Sequence, residues 1–354
     1  MRGIEFPIQK TKISGSKKFV LDDPAQRRKY FNLKAGTEIK KINDYLKKNT
    51  FVGILLGKKN TGKGTYTKLL IEALGTDKIA HISIGDIVRD VHKSLATKSS
   101  QKELADFLKK KYRGFVSVEK IFDVITGRDT STLLPTEVIL ALVEREIDKL
   151  EKKAVFIDGF PRNLDQVSYS LYFRSIMGYR DDPDFFVFID VPEKIIDERI
   201  KNRVICPKCR TPRSLKLLRT KEIGYDKTNN EFYLKCDNPK CNGERMVSKE
   251  GDELGIEAIR DRLEVDDKVM RMLMELQGVP KIYLRNSLPV ASASKIVDNY
   301  EITPAYNYKL QNGKVEVKES PWTVKDDNDV NSHSLLPPPI VVSLIKQISK
   351  ILGL

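Results

Sequence analysis

The chain has 354 residues, of which 40% are apolar and 32% charged, so it can bury a core and is too apolar for a disordered protein. Its formal net charge of +14 favours anionic partners such as nucleotides, nucleic acid or acidic surfaces. No run of about 18 uncharged apolar residues occurs, and the N-terminus lacks the apolar stretch of a signal peptide. We therefore expect a cytoplasmic protein without a membrane partner.

Residues 1–50 form a basic accessory segment, with 13 Lys and Arg against 5 Asp and Glu. Asp23-Pro24 predicts the start of a short helix that ends near Tyr30. Apolar residues at helical spacing predict a second helix that begins at Thr37. The surplus charge suits either a solvated surface or contact with nucleic acid or another acidic partner, and the sequence leaves both open.

Strands and helices alternate from residue 51 onward. Short apolar runs predict five strands, at 51–56, 79–82, 154–157, 185–189 and 295–297. Helical patterns separate or follow them, at 66–74, 135–151, 164–176, 192–202, 254–276 and 339–352. This alternation predicts an α/β fold in which right-handed crossovers build a parallel five-stranded sheet flanked by helices.

Two stretches interrupt the alternation. Residues 204–250 are rich in Cys, Pro and Lys and contain no long apolar helix. Between Tyr306 and Val317, apolar residues alternate on either side of Asn312-Gly313, a dipeptide that favours a tight hairpin turn. Residues 323–338 are polar and then Pro-rich, so we expect a loop there.

A glycine-rich segment follows the first predicted strand directly and opens a helix. Glycines let the backbone curl so that its N–H groups point at phosphate oxygens, and the helix N-terminus adds a partial positive charge. Lys63 would reach the outer phosphates. A glycine-rich strand-to-helix turn without a ligand is the alternative. The candidate phosphate-binding residues are Gly57, Asn60, Thr61, Gly62, Lys63, Gly64 and Thr65.

The Gly62-Lys63-Gly64-Thr65 ending resembles the adenylate kinase branch of the nucleoside monophosphate kinases. Other segments resemble that family in the same order: HISIGDIVR at 81–89, DGFPR at 158–162 with a glutamine at 166, VP at 191–192 with arginines at 199 and 203, and RLE at 262–264. The resemblance covers about residues 51–300 and the last helix.

This resemblance implies a P-loop kinase with a helical acceptor-binding insertion and a lid. The implied core consists of residues 51–82, 154–203 and 254–300 with 338–354. The insertion for the nucleoside monophosphate is 83–153, the lid is 204–253, and 301–337 is a further hairpin and loop insertion. Residues 1–50, a long lysine-rich stretch at 92–132 within the acceptor-binding insertion, and residues 301–337 make the chain larger than a minimal member of the family.

The same resemblance implies transfer of phosphate from ATP to AMP, with two ADP as products, in nucleotide homeostasis. Such transfer needs two phosphate chains in line, positive charge over the moving group and no water. The implied catalytic residues are Lys63, Asp158, Arg162, Arg203 and Arg262. Asp158 would hold a water of the Mg²⁺ that accompanies ATP; a cap on the following turn is its alternative role.

The implied arginine roles differ between the two nucleotides. Arg89 and Arg162 would grip the acceptor phosphate through their planar forks. Arg203 and Arg262 would close over the donor phosphates. Arg199 would stack on the donor base, although an exposed helix arginine without that role is the simpler interpretation.

The identity of the acceptor base stays open. Gln166 matches the family position that recognises adenine, and an amide can pair with adenine through two hydrogen bonds. Pyrimidine-specific relatives place an asparagine nearby, where this chain has Asn163, and Ile84 replaces the family's threonine. AMP is the expected acceptor and CMP or UMP the alternative. The implied AMP-binding residues are Ser83, Ile84, Arg89, Gly159, Arg162 and Gln166.

All the cysteines of the chain lie in the implied lid: Cys206, Cys209, Cys236 and Cys241. Gaps of two and four residues within the pairs suit the two knuckles of a Cys₄ zinc site without an open position, so we expect structural Zn²⁺. Free thiols, an iron–sulfur site and disulfides are the alternatives.

One expected residue is missing from the lid. The family carries another arginine before the final lid helix, and Lys249 or Arg245 is the candidate substitute here. A lysine could not reproduce the fork of an arginine. The competing hypothesis is a binding protein rather than an enzyme. In such a protein, a bound nucleotide would control whether the basic arm and the zinc ribbon contact RNA or another acidic partner.

Overall fold

The computed structural model describes residues 4, 6–8, 10–13, 15, 17–95, 97–125, 135–150, 152–162, 166–167 and 182–354, with the backbone alone at 92–94. The predicted helix at 164–176 and Asn163 therefore lie outside the described residues, apart from 166–167.

The described strands, in chain order, are β1 (Val52–Gly57), β2 (Ile79–Ser83), β3 (Ala154–Asp158), β4 (Asp184–Asp190), β5 (Arg203–Ile205), β6 (Pro212–Ser214), β7 (Ile223–Asp226), β8 (Glu231–Leu234), β9 (Val247–Ser248), β10 (Lys281–Arg285), β11 (Leu288–Pro289), β12 (Pro304–Gln311), β13 (Lys314–Pro321), β14 (Val324–Lys325) and β15 (Asn331–His333). The α-helices are α1 (Pro24–Tyr45), α2 (Lys63–Leu74), α3 (Ile84–Ser94), α4 (Lys98–Lys111), α5 (Val118–Ile125), α6 (Thr136–Asp148), α7 (Glu193–Lys201), α8 (Arg260–Glu275), α9 (Val290–Ile296) and α10 (Pro337–Ile351).

A five-stranded parallel sheet in the order β10-β4-β1-β3-β2 forms the core, which confirms the predicted fold class. β1 lies in the middle and is buried along its length, as expected for a strand covered on both faces. The loop after β1 therefore starts at the centre of the sheet's carboxyl edge, where ligands bind in open α/β sheets.

The fifth predicted strand was wrong. Lys295 lies in α9, and Val297 follows that helix as a buried residue. The edge strand is β10, in which Ile282 and Leu284 are buried and alternate with half-buried neighbours. An edge strand of this kind does not produce the continuous apolar run that marks a strand buried on both faces.

The N-terminal segment is built into the core. The two helices predicted at 23–30 and from 37 are one helix, α1, with a kink at Ala35. Asp23 caps its first turn as expected, by accepting the backbone N–H of Gln26 at 2.8 Å. α1 packs against α2 and α10, and the buried ammonium of Lys34 contacts Asp298 at 2.6 Å.

The helix predicted at 254–276 starts later, because two short 3₁₀ turns precede α8. Gly255 separates those turns with a φ of 58°. A Cβ at that position would lie 2.0 Å from an oxygen of Asp197, so the close approach requires glycine.

The 301–337 insertion contains the predicted hairpin. Asn312 and Gly313 both have positive φ and join β12 to β13, which pairs Leu310 with Val315. The loop predicted at 323–338 was wrong in part, since β14 and β15 pair there and β15 also pairs with β11. These strands are short and polar, so no apolar alternation marks them.

None of the described helices combines the length and apolar character needed to cross a bilayer.

Candidate active site

The glycine-rich loop connects β1 to the first turn of α2, as predicted. Gly62 has a φ of 97° and Asn60 a φ of 68°, so both curl the backbone through the left-handed region. Glycine adopts that conformation without a steric penalty, and asparagine tolerates it better than most residues. The loop thus closes tightly over the N-terminus of α2, where free N–H groups favour an anion.

Lys63 is folded back onto its own loop. Its Nζ donates to the carbonyl oxygens of Gly57 at 2.7 Å and Lys58 at 3.1 Å, and it lies 3.9 Å from Oδ1 of Asp158. Burial lowers the pKa of Lys63, while Asp158 and Asp266 oppose that shift. A phosphate would give this ammonium a stronger partner than two neutral carbonyl groups.

A cleft of about 600 Å³ opens over the loop. Its cations include Lys63, Arg162 and Arg262, and its carboxylates are Asp158 and Asp266. Burial lowers the pKa of Arg162, and the neighbouring charge of Arg262 lowers it further. Positive charge is therefore concentrated where water is partly excluded, which suits a polyanionic ligand. The lining residues are 59–65, Lys68, Asp158, Gly159, Arg162, Arg262 and Asp266.

Arg162 and Arg262 are neighbours in the cleft, and both are held by contacts with the protein. Nε of Arg162 donates to the carbonyl of Gly159 at 2.8 Å. Gly159 has a φ of 92°, and a Cβ there would lie 2.8 Å from Nη2 of Arg162. Arg262 donates to the carbonyl of Arg162 at 3.3 Å and pairs with Asp266 at 2.8 Å.

Three residues implied in acceptor binding meet around Gly85, which the sequence motifs do not mark as a site residue. A Cβ at Gly85 would lie 3.3 Å from Nη2 of Arg162, 3.7 Å from Nη1 of Arg89 and 3.8 Å from Oγ of Ser83. Arg89 itself is 66% exposed and forms an ion pair with Asp86, one turn away.

Two further acceptor candidates, Ile84 and Gln166, are buried and already contact other residues of the protein. Ile84 is 2% exposed and packs in the apolar cluster that contains Phe160. Gln166 is 5% exposed; it accepts the N–H of Arg162 at 2.7 Å and donates to the hydroxyl of Thr136 at 3.2 Å.

A second cavity, of about 340 Å³, lies beside the phosphate loop. Arg199 lines it and donates to the hydroxyl of Ser334 at 3.2 Å. Sequence reasoning missed Thr303 and residues 335–337, which add an apolar wall from the C-terminal insertion. The adjacent leucines before the proline run were the available signal.

Arg203 also lines the second cavity and forms a two-pronged pair with Asp252, with both N–O distances at 2.6 Å. Such a fork fixes the plane of the guanidinium. Arg245 pairs with Asp226 at 2.9 Å and lies over the ring of Tyr233 at 4.4 Å, so it is held on the β7–β8 hairpin.

The cysteine sulfurs of the lid lie within 4.8 Å of one another. None is in a disulfide, and Sγ of Cys209 lies 3.6 Å from Sγ of Cys236. A tetrahedral zinc ion with bonds of about 2.3 Å places its sulfurs about 3.8 Å apart. The donor set and spacing therefore fit one such ion. The four residues are Cys206, Cys209, Cys236 and Cys241.

Comparison with known proteins identifies the family. A family model described as an AAA domain matches residues 57–205. The adenylate kinase of Syntrophomonas wolfei is 30% identical over 232 residues, which cover 64% of this chain and 87% of the relative. The adenylate kinase of Clostridium acetobutylicum is 28% identical over 246 residues, 69% of this chain and 92% of the relative. The adenylate kinase of Thermotoga neapolitana is 31% identical over 157 residues, and the match spans 60% of that relative. The chain belongs to the adenylate kinase family.

Proposed function

We propose that the protein transfers a phosphoryl group from ATP to AMP and forms two ADP, reversibly, in nucleotide homeostasis. One observation carries the proposal: Lys63, Arg162 and Arg262 line the same cleft as Asp158, over a glycine-rich loop. Such a site supplies positioning and positive charge, which is most of what phosphoryl transfer requires from a protein.

On the donor side, the phosphates of ATP would lie on the N–H groups of residues 59–65. Lys63 would leave its carbonyl partners and contact the outer phosphates. Asp158 would hold a water of the Mg²⁺ ion, which supplies charge neutralisation when bound. The base would enter the second cavity beside Arg199, and Arg203 with Arg262 would cover the phosphates.

On the acceptor side, Arg89 and Arg162 would grip the phosphate of AMP, because they converge on Gly85. Arg89 would exchange Asp86 for that phosphate. Recognition of adenine by Gln166 would require its amide to exchange Thr136 for the base. Residues 83–153 are the proposed acceptor-binding insertion, with Ser83, Ile84 and Gly159 beside the acceptor.

We propose structural zinc in the lid, 204–253. Four thiolates leave no coordination position for water or substrate, so the ion would act on the stability of the ribbon. The lid has a small apolar cluster around Leu234 and Met246, and metal binding would supplement it.

Phosphorus NMR of ATP, AMP and Mg²⁺ with the protein tests the reaction. We expect ATP and AMP to disappear in equal amounts while ADP appears in twice that amount. Formation of ADP and inorganic phosphate with AMP unchanged would refute the transfer and leave a nucleotide hydrolase.

A further inference from the structure

Lys58, the second residue of the phosphate loop, has a buried side chain. Only 6% of that side chain is exposed, and its Nζ lies 2.8 Å from Oε1 of Glu193 and 3.2 Å from Oδ1 of Asp267. A lysine placed between two acids and shielded from water is unlike a surface ion pair, because removal of one partner leaves a buried charge uncompensated.

The two acids lie on two different helices. Glu193 is the first residue of α7, which carries Arg199 and ends at Lys201, two residues before Arg203. Asp267 lies on α8, which carries Arg262. One ammonium group thus connects the phosphate loop to both helices that place arginines over the donor nucleotide.

The backbone of Lys58 holds the curl of the loop. Its carbonyl accepts the hydroxyl of Thr61 at 2.9 Å and Nζ of Lys63 at 3.1 Å. A movement of Lys58 would therefore move the ammonium of Lys63 with it.

The ion pairs keep this ammonium charged. Burial lowers the pKa of Lys58, but Glu193 and Asp267 outweigh burial and raise it above the usual value. Burial likewise raises the pKa of Asp267, but Arg271 and Lys58 hold it below the usual value. The ammonium of Lys58 donates a hydrogen bond to Oε1 of Glu193. Its contact with Oδ1 of Asp267 is ionic and lacks hydrogen-bond geometry.

We propose that Lys58 is a positioning residue for the donor nucleotide. Its ammonium sets the separation between the phosphate loop and helices α7 and α8, and so aligns the donor phosphates with Arg203 and Arg262. This inference rests on the proposed function for its kinetic part, whereas its effect on donor-nucleotide binding can be measured without turnover.

The test compares Lys58→Met, which keeps the stem and removes the charge, with Lys58→Arg, which keeps the charge. Lys194→Met is the matched control, because Lys194 is next to Glu193 on α7 and its side chain is 52% exposed. For Lys58→Met we expect kcat/KM for MgATP to fall about tenfold or more, with KM for AMP within about twofold of wild type. Lys58→Arg should recover part of the loss, and Lys194→Met should match wild type.

Calorimetric titration with adenylyl imidodiphosphate, a non-hydrolysable ATP analogue, separates this inference from the proposed reaction, since Lys58→Met should weaken binding of the analogue even if no transfer occurs. Asp267→Asn, which keeps the side-chain shape, is the second variant in case Lys58→Met does not fold, and the same donor-side loss is expected. Wild-type donor kinetics and wild-type affinity for the ATP analogue in the folded variants would overturn the proposal. An increase in KM for AMP as large as the increase in KM for ATP would overturn it too, because that result indicates a general structural defect.

Discussion

The proposed donor and acceptor sides of the cleft are held in different ways. On the donor side, Lys63 and Arg203 already bond to protein oxygens, and Lys58 anchors the loop between two helices. On the proposed acceptor side, Arg162 is held by the carbonyl of Gly159, whereas Arg89 is 66% exposed and pairs with a neighbour one turn away. Lys63 has to exchange carbonyl oxygens for phosphate, but it does so on a loop that is already held in place. Groups held in place stabilise a transition state with little reorganisation, whereas an exposed arginine must be ordered by its ligand. Donor-side changes should therefore reduce rate, and changes at Arg89 should mainly reduce acceptor affinity.

The largest expected effect is that of Lys63→Ala. Removal of the cation nearest the moving phosphoryl group should lower kcat by about 10²–10³, because single electrostatic donors contribute that much. Lys48→Ala, at an exposed lysine before β1, is the control and should keep wild-type turnover. Circular dichroism should show the same fold in both variants. Wild-type turnover in Lys63→Ala would remove the loop from the mechanism.

Metal removal should have the next largest effect. Purified protein should contain about one zinc per chain, and chelation should lower the melting temperature, because metal-binding free energy is folding free energy for the ribbon. Displacement of Arg203 and Arg262 could reduce rate by up to about a hundredfold. Elemental analysis measures the zinc content, and melting curves with and without chelator measure the change in melting temperature. Purified protein that contains two disulfides and no metal would contradict the proposed zinc site.

A matched pair of substitutions separates the two sides directly. Arg203→Lys removes the fork to Asp252, so we expect kcat to fall about tenfold with little change in KM for AMP. Arg89→Lys should raise KM for AMP several-fold and change kcat less. Steady-state kinetics with each substrate varied in turn provide the comparison. The reverse pattern would show that the acceptor side is the preorganised one.

The smallest expected effect concerns the hairpin that contacts the lid. The hydroxyl of Tyr308 donates to the carbonyl of Leu215 at 2.5 Å, and its ring lies 5.7 Å from that of Phe232. Tyr308→Phe removes the hydrogen bond and keeps the ring, so we expect a loss of about 1 kcal/mol in the free energy of unfolding. Denaturant titration measures it. Tyr225→Phe, at a half-buried position in β7, is a useful comparison because its hydroxyl donates locally, to Asn230.

Local patterns predicted the parts of the molecule that depend on local sequence. The three inner strands β1, β3 and β4 show apolar runs because both of their faces are covered, and the phosphate loop shows glycine where positive φ is needed. The Asn312-Gly313 turn was predictable for the same reason.

Features built from distant segments were not predictable. Thr303 and residues 335–337 reach the second cavity through the pairing of Ile302 with Leu335, which no spacing reveals. The burial of Lys58 depends on acids more than 130 positions away. The exposed state of Arg89 and the internal bonds of Gln166 likewise follow from packing rather than from motif.

The central claim is most directly tested by measuring kcat/KM for AMP, CMP, UMP and GMP as acceptors with saturating MgATP. We expect transfer to AMP with the highest kcat/KM, and loss of that activity in Lys63→Ala. Absence of transfer to all four acceptors would contradict the proposed kinase activity, and a preference for CMP would contradict the assignment of AMP.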